Sequence, residues 1–436
     1  MEQISDAKIK VVFLCHLSSQ AIRDKMFLRS NKIENRVRKL LHKKLVQYED
    51  NAPWNINILE ELSKNDEIEI HVVSPHPGLV KETQSFSLNG IYYHFFQCDV
   101  KFPINYFRRR NEKKGVKPYK ENRRLAKKLI EEIKPDMINL VGSENPDYAS
   151  VVLDIESLPI LLTCQTVYSN PTRREYDKNF SQLRWDIEQA IFQKVDCFSC
   201  MGELHRDLVL KYRPDAIIFK LVFPFKEFPD IKEVEKKFDF VYFAQTVSVK
   251  KGVNNAVEAL AMVKEKRPKV SMLIVGANHE PYKTVLNNRI AELGLTDNIT
   301  FHDYFPKQED MFQYVKQARF AVLPVKIDIV SGTILQAMRM GLPVVTHITS
   351  GTPKLNKKNE CVLLSEIDDD RATADNMLKL MESPELAERL IKNSLAYLEA
   401  EDEEAKQAGS KWLAQYHALY NHYYKGVDFP DLLIYK

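Results

Sequence analysis

The sequence predicts an α/β protein of two doubly wound, Rossmann-like domains. Two observations carry this expectation. Short apolar runs of strand length recur through the chain and alternate with segments of helical period. The alternation also starts twice, on either side of Phe223–Lys237, a stretch with two prolines and a charged run that reads as a linker. At 436 residues the chain is long enough for two such domains. The expected boundaries are 1–225 and 232–411, with a C-terminal helix, 412–436, returning to the first domain.

In the first half, Lys10–Leu14 reads as the opening strand. A helix follows over Pro53–Leu62, where proline suits an early helical position. Strands are expected at Ile68–Val73, Ile91–Phe96, Met137–Val141, Pro159–Cys164 and Val195–Cys200. Helices are expected at Ala126–Ile133 and Leu183–Phe192. The second half begins with a strand at Phe238–Ala244. Asn254–Lys266 then places apolar residues at 256, 257, 260 and 263, one face of a helix. Val270–Val275 is a strand stopped by Gly276, and Leu286–Leu293 a helix capped by Gly294. Strands at Ile299–His302, Phe320–Leu323, Pro343–Thr346 and Cys361–Leu364 complete the series. Trp412, Tyr416, Leu419 and Tyr423 are spaced to pack one face of the last helix.

Composition narrows the function classes. Hydrophobic residues make up 44% and charged residues 28%, the balance of a globular protein. A net charge of +3 makes no global case for nucleic acid. The charge is uneven, however: Arg23–Lys44 holds nine basic and two acidic residues, and Lys101–Lys128 twelve and two. The second run sets Arg108, Arg109 and Arg110 beside Phe102, Tyr106 and Phe107. Basic residues among aromatics suit an anionic membrane surface or a lipid-phosphate acceptor, while a solvated helix face is the plainer alternative. No apolar run approaches the ~20 residues that span a bilayer. The polar opening Met1-Glu2-Gln3 lacks a signal-peptide core, so a cytoplasmic location is expected, with peripheral contact at the inner membrane face. Cys197 and Cys200 form a lone C-x-x-C, which reads as two buried strand thiols rather than a zinc or redox site. No G-x-G-x-x-G follows a strand, which argues against a nicotinamide dehydrogenase. Asp368, Asp369 and Asp370 precede a helix over Ala372–Met381 and suit its N-terminus. No metal site is expected there.

The chemistry concentrates in Arg319–His347. A buried strand leads into a loop with Asp328, Ser331, Gly332 and Thr333, then a helix from Ile334 to Arg339 closed by Gly341, then a second strand. Small residues at such a turn let N–H groups of a helix N-terminus approach an anion. Gln336-Ala337-Met338 and Gly341-Leu342-Pro343-Val344-Val345 resemble the signature of GT-B glycosyltransferases of family 4, retaining sugar transferases. The family pattern has a Glu, seven residues and a second Glu; Asp328 and Gln336 occupy those positions here.

The resemblance implies a GT-B fold, two Rossmann-like domains facing a central cleft, with the donor on the second domain. It is strong over Phe238–Leu364 and weak in the first domain. It implies that Lys251, in Val249-Lys250-Lys251-Gly252-Val253, contacts the donor diphosphate. Where the family has Gly-Arg-Leu, this chain has Gln245-Thr246-Val247, leaving Thr246 at the phosphates and no arginine. Asp328 would meet donor-sugar hydroxyls and Gln336 the ribose; Ser331, Gly332 and Thr333 would hold phosphate. Gly276 and Tyr304 fall where the family grips the base. In the first domain, Pro135–Gly142 aligns with a family pattern bearing histidines, replaced here by Asn139 and Val141. Glu144, and secondarily Gln165-Thr166, are the candidates to meet acceptor or sugar.

The implied function is metal-independent transfer of a sugar from a nucleotide-diphosphate sugar to a glycan or lipid-linked acceptor, in capsule, lipopolysaccharide or other cell-surface polysaccharide assembly. No cofactor beyond the nucleotide-sugar donor substrate is expected. Three alternatives stay open: a catalytically silent glycosyltransferase-like subunit, a nonhydrolysing sugar-nucleotide epimerase, and a membrane-surface binding module.

Overall fold

The computed structural model describes residues 8–435, apart from 41–47, 49, 51, 99–118, 177–179, 225–227, 304, 306 and 328–329. The chain divides into two compact units. The first holds Met1–Asn170, Ser181–Phe225 and Ala405–Lys436; the second holds Pro171–Phe180 and Lys226–Glu404.

The first unit is built on eight strands: β1 (Ile9–Leu14), β2 (Ile68–His76), β3 (Thr83–Leu88), β4 (Ile91–Gln97), β5 (Met137–Val141), β6 (Ile160–Cys164), β7 (Cys197–Cys200) and β8 (Ile217–Lys220), in the order β3-β4-β2-β1-β5-β6-β7-β8. All pairs are parallel except the β3–β4 hairpin. Its turn, Asn89-Gly90, has positive φ at both residues, 52° and 77°, the backbone a tight hairpin demands. The central strands are buried along almost all of their length, which is why they read as mostly apolar runs.

Apolar layers cover both faces of this sheet. One packs Leu125, Leu129, Tyr148, Ile191 and Phe192 on Val12, Ile138 and Leu162. The other includes Ile58, Leu59, Trp412, Tyr416 and Leu419 against Val11, Phe13 and Val72. The C-terminal helix, Ala408–Lys425, thus belongs to the first unit. Trp412 stacks on Phe13 with centroids 6.1 Å apart, and its indole N–H donates to the Val222 carbonyl at 2.6 Å. Asn139 donates to the Tyr416 hydroxyl at 2.7 Å and accepts from Thr163 at 2.8 Å. A position that aligned with a family histidine therefore ties a strand to the last helix from inside the core.

The second unit holds six parallel strands: β9 (Phe238–Thr246), β10 (Met272–Ala277), β11 (Ile299–His302), β12 (Ala318–Leu323), β13 (Val344–His347) and β14 (Val362–Ser365). Their order is β11-β10-β9-β12-β13-β14. Numbered within the unit this is 3-2-1-4-5-6, the dinucleotide-binding order, and it reverses between β9 and β12. One core runs through the whole unit.

All six cysteines are free and buried, Cys197 and Cys200 among them. No described helix is long and apolar enough to cross a membrane.

Candidate functional site

In an open parallel sheet, ligands sit beyond the carboxyl ends of the strands where the order reverses. In the second unit that point lies between β9 and β12. The loop after β9 carries a short 3-10 turn, Val249–Lys251, and Gly252. The loop after β12 begins at Pro324 and leads into the helix Gly332–Arg339. The fold therefore brings Thr246, Lys251, Ser331, Gly332 and Thr333 to one end of one sheet, although about eighty residues of sequence separate the two groups.

Two glycines let these loops close up. Gly252 has φ +79°, and a Cβ there would fall 1.7 Å from the Pro324 carbonyl oxygen. The amide of Lys326 donates to the Lys250 carbonyl across the same gap, at 3.2 Å. Gly276 has φ +142°, and a Cβ there would fall 2.0 Å from the Ala244 carbonyl oxygen. Gly276 thus acts through close backbone approach at the end of β10. Gly252→Ala is expected to cost the second unit about 2 kcal/mol, from the left-handed backbone and the clash together. Thermal unfolding measures it; a variant as stable as the parent would show that the loops are not held this way.

Both helices that start here begin without a side-chain cap. Gly252 precedes Val253–Lys266, and Ser331 precedes Gly332–Arg339. The Ser331 hydroxyl is buried and engages Thr333 Oγ1 at 3.0 Å instead of the helix end. The first-turn N–H groups of both helices, with their positive dipole ends, are left to meet an anion.

A cluster the sequence reading missed supports the same loops. Lys326 is only 7% exposed, and its ammonium pairs with Asp368. Asn255 Nδ2 donates to Asp368 at 3.0 Å and to Asp370 at 2.7 Å. Burial pushes the Asp368 carboxyl up, but hydrogen bonds from Lys326 and Asn255 outweigh it and hold the group below the usual carboxylate range. Burial keeps Asp370 above that range. Of the three aspartates read as suited to the helix start, only Asp369 caps, accepting from the Ala372 amide at 2.9 Å. Its neighbours clamp the β12 loop and the first turn of Val253–Lys266. Among the described residues, no group of three or more His, Cys, Asp or Glu side chains could hold a metal ion.

Gln336 lines a groove of about 800 Å³ between the helices Gln308–Val315 and Gly332–Arg339, with Gln308, Glu309, Phe312 and Arg339. It is half-buried, and its groove neighbour Arg339 is paired with Asp402. Asp328 and Tyr304 lie outside the described residues.

The candidates in the first unit are more committed to structure. Glu144 follows Gly142, whose φ is +84°, and its carboxylate folds back over that glycine: a Cβ there would fall 2.6 Å from Glu144 Oε2. Arg184 Nε holds the Glu144 carbonyl at 3.0 Å. Gln165 donates to Asn55 at 2.8 Å, and Asn55 in turn to the His16 carbonyl at 3.2 Å. These polar groups brace the loops beyond β1, β5 and β6. The organiser of that end is Glu188, fully buried on the helix Gln182–Lys194. Its oxygens accept from Ser143 Oγ (2.6 Å), Tyr168 N (3.0 Å), Ser169 N (2.5 Å) and Ser169 Oγ (2.7 Å). Helical spacing alone could not distinguish Glu188 from a solvated glutamate.

Part of the expected basic surface is neutralised. Residues 99–118 lie outside the described set. From Lys120 on, the run forms the helix Lys120–Ile133. There Arg123 is buried against Asp154, Arg124 pairs with Glu121, and Lys127 and Lys128 pair with Glu131 and Glu132. One turn of helix sets Glu121, Glu131 and Glu132 beside their bases, and Asp154 reaches Arg123 from another segment, so these four bases are paired, closer to the solvated helix face than to an unpaired cationic one.

Comparison with known proteins places the fold among known structures. Residues 224–396 match the family model described as Glycosyl transferases group 1, almost the span of the second unit. An alpha-D-kanosaminyltransferase of Streptomyces kanamyceticus is 26% identical over 159 residues, 35% of this chain and 39% of that protein. The chain thus matches well under half the length of that curated relative. Among solved structures, sucrose-phosphate synthase of Thermosynechococcus elongatus superposes with a TM-score of 0.64 at 14% identity, covering 94% of this chain and 99% of the other. Anabaena HepE, solved in complex with UDP-glucose, gives 0.60 at 13% identity, covering 93% and 100%. The architecture is the GT-B fold of glycosyltransferases.

Proposed function

We propose that the chain is a retaining glycosyltransferase. It takes a nucleotide-diphosphate sugar on the second unit and passes the sugar to a glycan or lipid-linked acceptor, without a metal ion, in cell-surface polysaccharide assembly. The observation that carries the reading is the meeting of the Lys251 loop with two uncapped helix N-termini at the strand-order reversal. Fixed N–H dipoles and an ammonium are what a departing nucleoside diphosphate requires as its charge develops. In the mechanism implied by the family resemblance, the leaving phosphate assists the incoming hydroxyl, so the protein supplies positioning and electrostatics rather than a strong base. The match of residues 224–396 to group 1 glycosyl transferases and the HepE structure with UDP-glucose support the donor class.

Calorimetric titration of the intact protein with UDP and other nucleoside diphosphates tests this. Lys251→Ala is expected to weaken binding about tenfold, or ~1.4 kcal/mol. If no nucleoside diphosphate binds the unaltered protein, the reading fails. A second reading, a donor-binding subunit without turnover, is favoured by the neutral amide of Gln336 at a position the family fills with glutamate. Slow hydrolysis of a bound UDP-sugar, abolished by Lys251→Ala, would exclude it.

A further inference from the structure

The first unit contains a recess that donor binding does not use. It measures about 550 Å³ and is lined by Gln20, Arg23, Asp24, Arg29, Asn31 and Tyr48. Its walls follow β1, which lies between β2 and β5 where this sheet reverses its strand order, the counterpart of the donor position in the second unit.

The walls are built rather than casual. The Arg23 side chain is only 10% exposed, and its guanidinium is held by Ser18 Oγ (2.7 Å), Gln20 Oε1 (3.0 Å) and Asp50 Oδ1 (2.8 Å). Tyr48 lies on Gly78, where a Cβ would fall 2.3 Å from the ring. Its hydroxyl donates toward Asn31 Oδ1 at 3.3 Å and the Arg29 carbonyl at 3.4 Å. The Arg29 amide donates to the Gly78 carbonyl at 2.8 Å, and Leu28 bridges to Leu79. The backbone that presents Arg29 is therefore pinned to the end of β2.

The charges around the recess balance, Arg23 and Arg29 against Asp24 and Asp50, but they are not all paired with one another. Arg23 has its acceptors, but the half-buried Arg29 guanidinium has no hydrogen-bond or ion-pair partner among the described residues. His76, beside the recess and 5.2 Å from Tyr48 ring to ring, is pushed down to about 4 by burial and then by the charges of His16 and Arg23. Asp24 is exposed and accepts from Gln20 at 2.6 Å, so it can also accept from a sugar hydroxyl. A recess of this size belongs to small-ligand sites rather than single-ion sites.

We infer that this recess receives a saccharide acceptor carrying an oxyanion, a phosphate or carboxylate, with Arg29 as the residue that reads the charge. The word acceptor rests on the glycosyltransferase reading; the anionic-sugar site rests on the recess alone. A guanidinium suits this task because its planar fork matches both groups in two-point contact.

The experiment is calorimetric titration of the intact protein, with UDP present to occupy the donor site. The probes are glucuronate, glucose 1-phosphate, inorganic phosphate and methyl glucoside. Glucuronate and glucose 1-phosphate are expected to bind at least about tenfold more tightly than methyl glucoside or inorganic phosphate. Arg29→Gln should remove that preference, and Arg29→Lys should restore part of it, with UDP affinity unchanged in both. Inorganic phosphate binding as well as glucose 1-phosphate would reduce the recess to an anion site and overturn the inference. An unchanged preference in Arg29→Gln, or no binding of either anionic sugar, would overturn it as well. UDP is titrated separately: its failure to bind sinks the donor reading, whereas loss of the Arg29 effect sinks this one.

Discussion

Glu188→Ala is expected to destabilise the first unit by about 4 kcal/mol, the largest single-residue effect foreseen outside the apolar core. The carboxylate is fully buried and accepts four hydrogen bonds, two of them from the amides of Tyr168 and Ser169. Hydroxyls such as Ser143 can rotate to other partners. The two amides cannot, and each orphaned buried N–H costs roughly 1–3 kcal/mol, to which the vacated volume adds. In a unit of this size about 4 kcal/mol corresponds to a fall in its melting transition of roughly 10 °C. Glu188→Gln keeps the volume but turns an NH2 toward an N–H donor, so it should lose about half as much. Differential scanning calorimetry reads both, and UDP titration of the same variants should be unchanged, since the loops proposed to hold the donor lie in the other unit. A melting transition within about 2 °C of the parent's for Glu188→Ala would show that the loops beyond β5 and β6 do not depend on this side chain.

Acid is expected to unfold the protein steeply between pH 6.5 and 4. Four histidines are lowered from 6.5 to about 4 in the fold: His205 by burial alone, His94 by burial and then His71, His76 by burial and then His16 and Arg23, and His347 by burial and then Lys326. In that window the unfolded chain binds protons at these groups and the folded chain does not. Linkage then makes stability rise with pH: it is fully present above about 6.5 and is lost as pH falls toward 4. Each histidine contributes up to about 1.4 kcal/mol per pH unit. Asp196 and Asp370, both held above the usual carboxylate range by burial, act in the opposite sense at the acid end and blunt the fall. Melting temperature against pH checks this. His205→Phe, which removes a 2% exposed ring whose nitrogens have no hydrogen-bond partner among the described residues, should flatten the slope by about one proton. A melting temperature constant from pH 7 to 5 would contradict the assignment.

The buried strands were legible because their apolar runs are the direct consequence of having helices on both faces. The edges were not. β3 alternates half-buried and exposed residues, so its composition is that of a loop; only Asn89-Gly90 marks it. β8 is four residues with an exposed end, and the helices Glu203–Tyr212 and Pro384–Ala405 lie among many charges. On the site, the glycines and the Lys251 and Ser331–Thr333 loops stood out as local patterns. Glu188, Lys326 and Arg29 did not, because a charged residue read alone is a solvated one until a distant segment covers it.

The sequence by itself determined the strand series, its break into two doubly wound halves, and the turns that only glycine can make. Those are local properties, carried by periodicity and by φ. Tertiary structure decided what each polar residue is for. Asn139 meets a hydroxyl 277 residues away and becomes a core strut, and Asp368 meets Lys326 at a separation of 42 and becomes a loop clamp. Burial removes the water that would otherwise satisfy such groups, so their partners are set by the fold that brings distant segments together and not by the residues beside them in the chain.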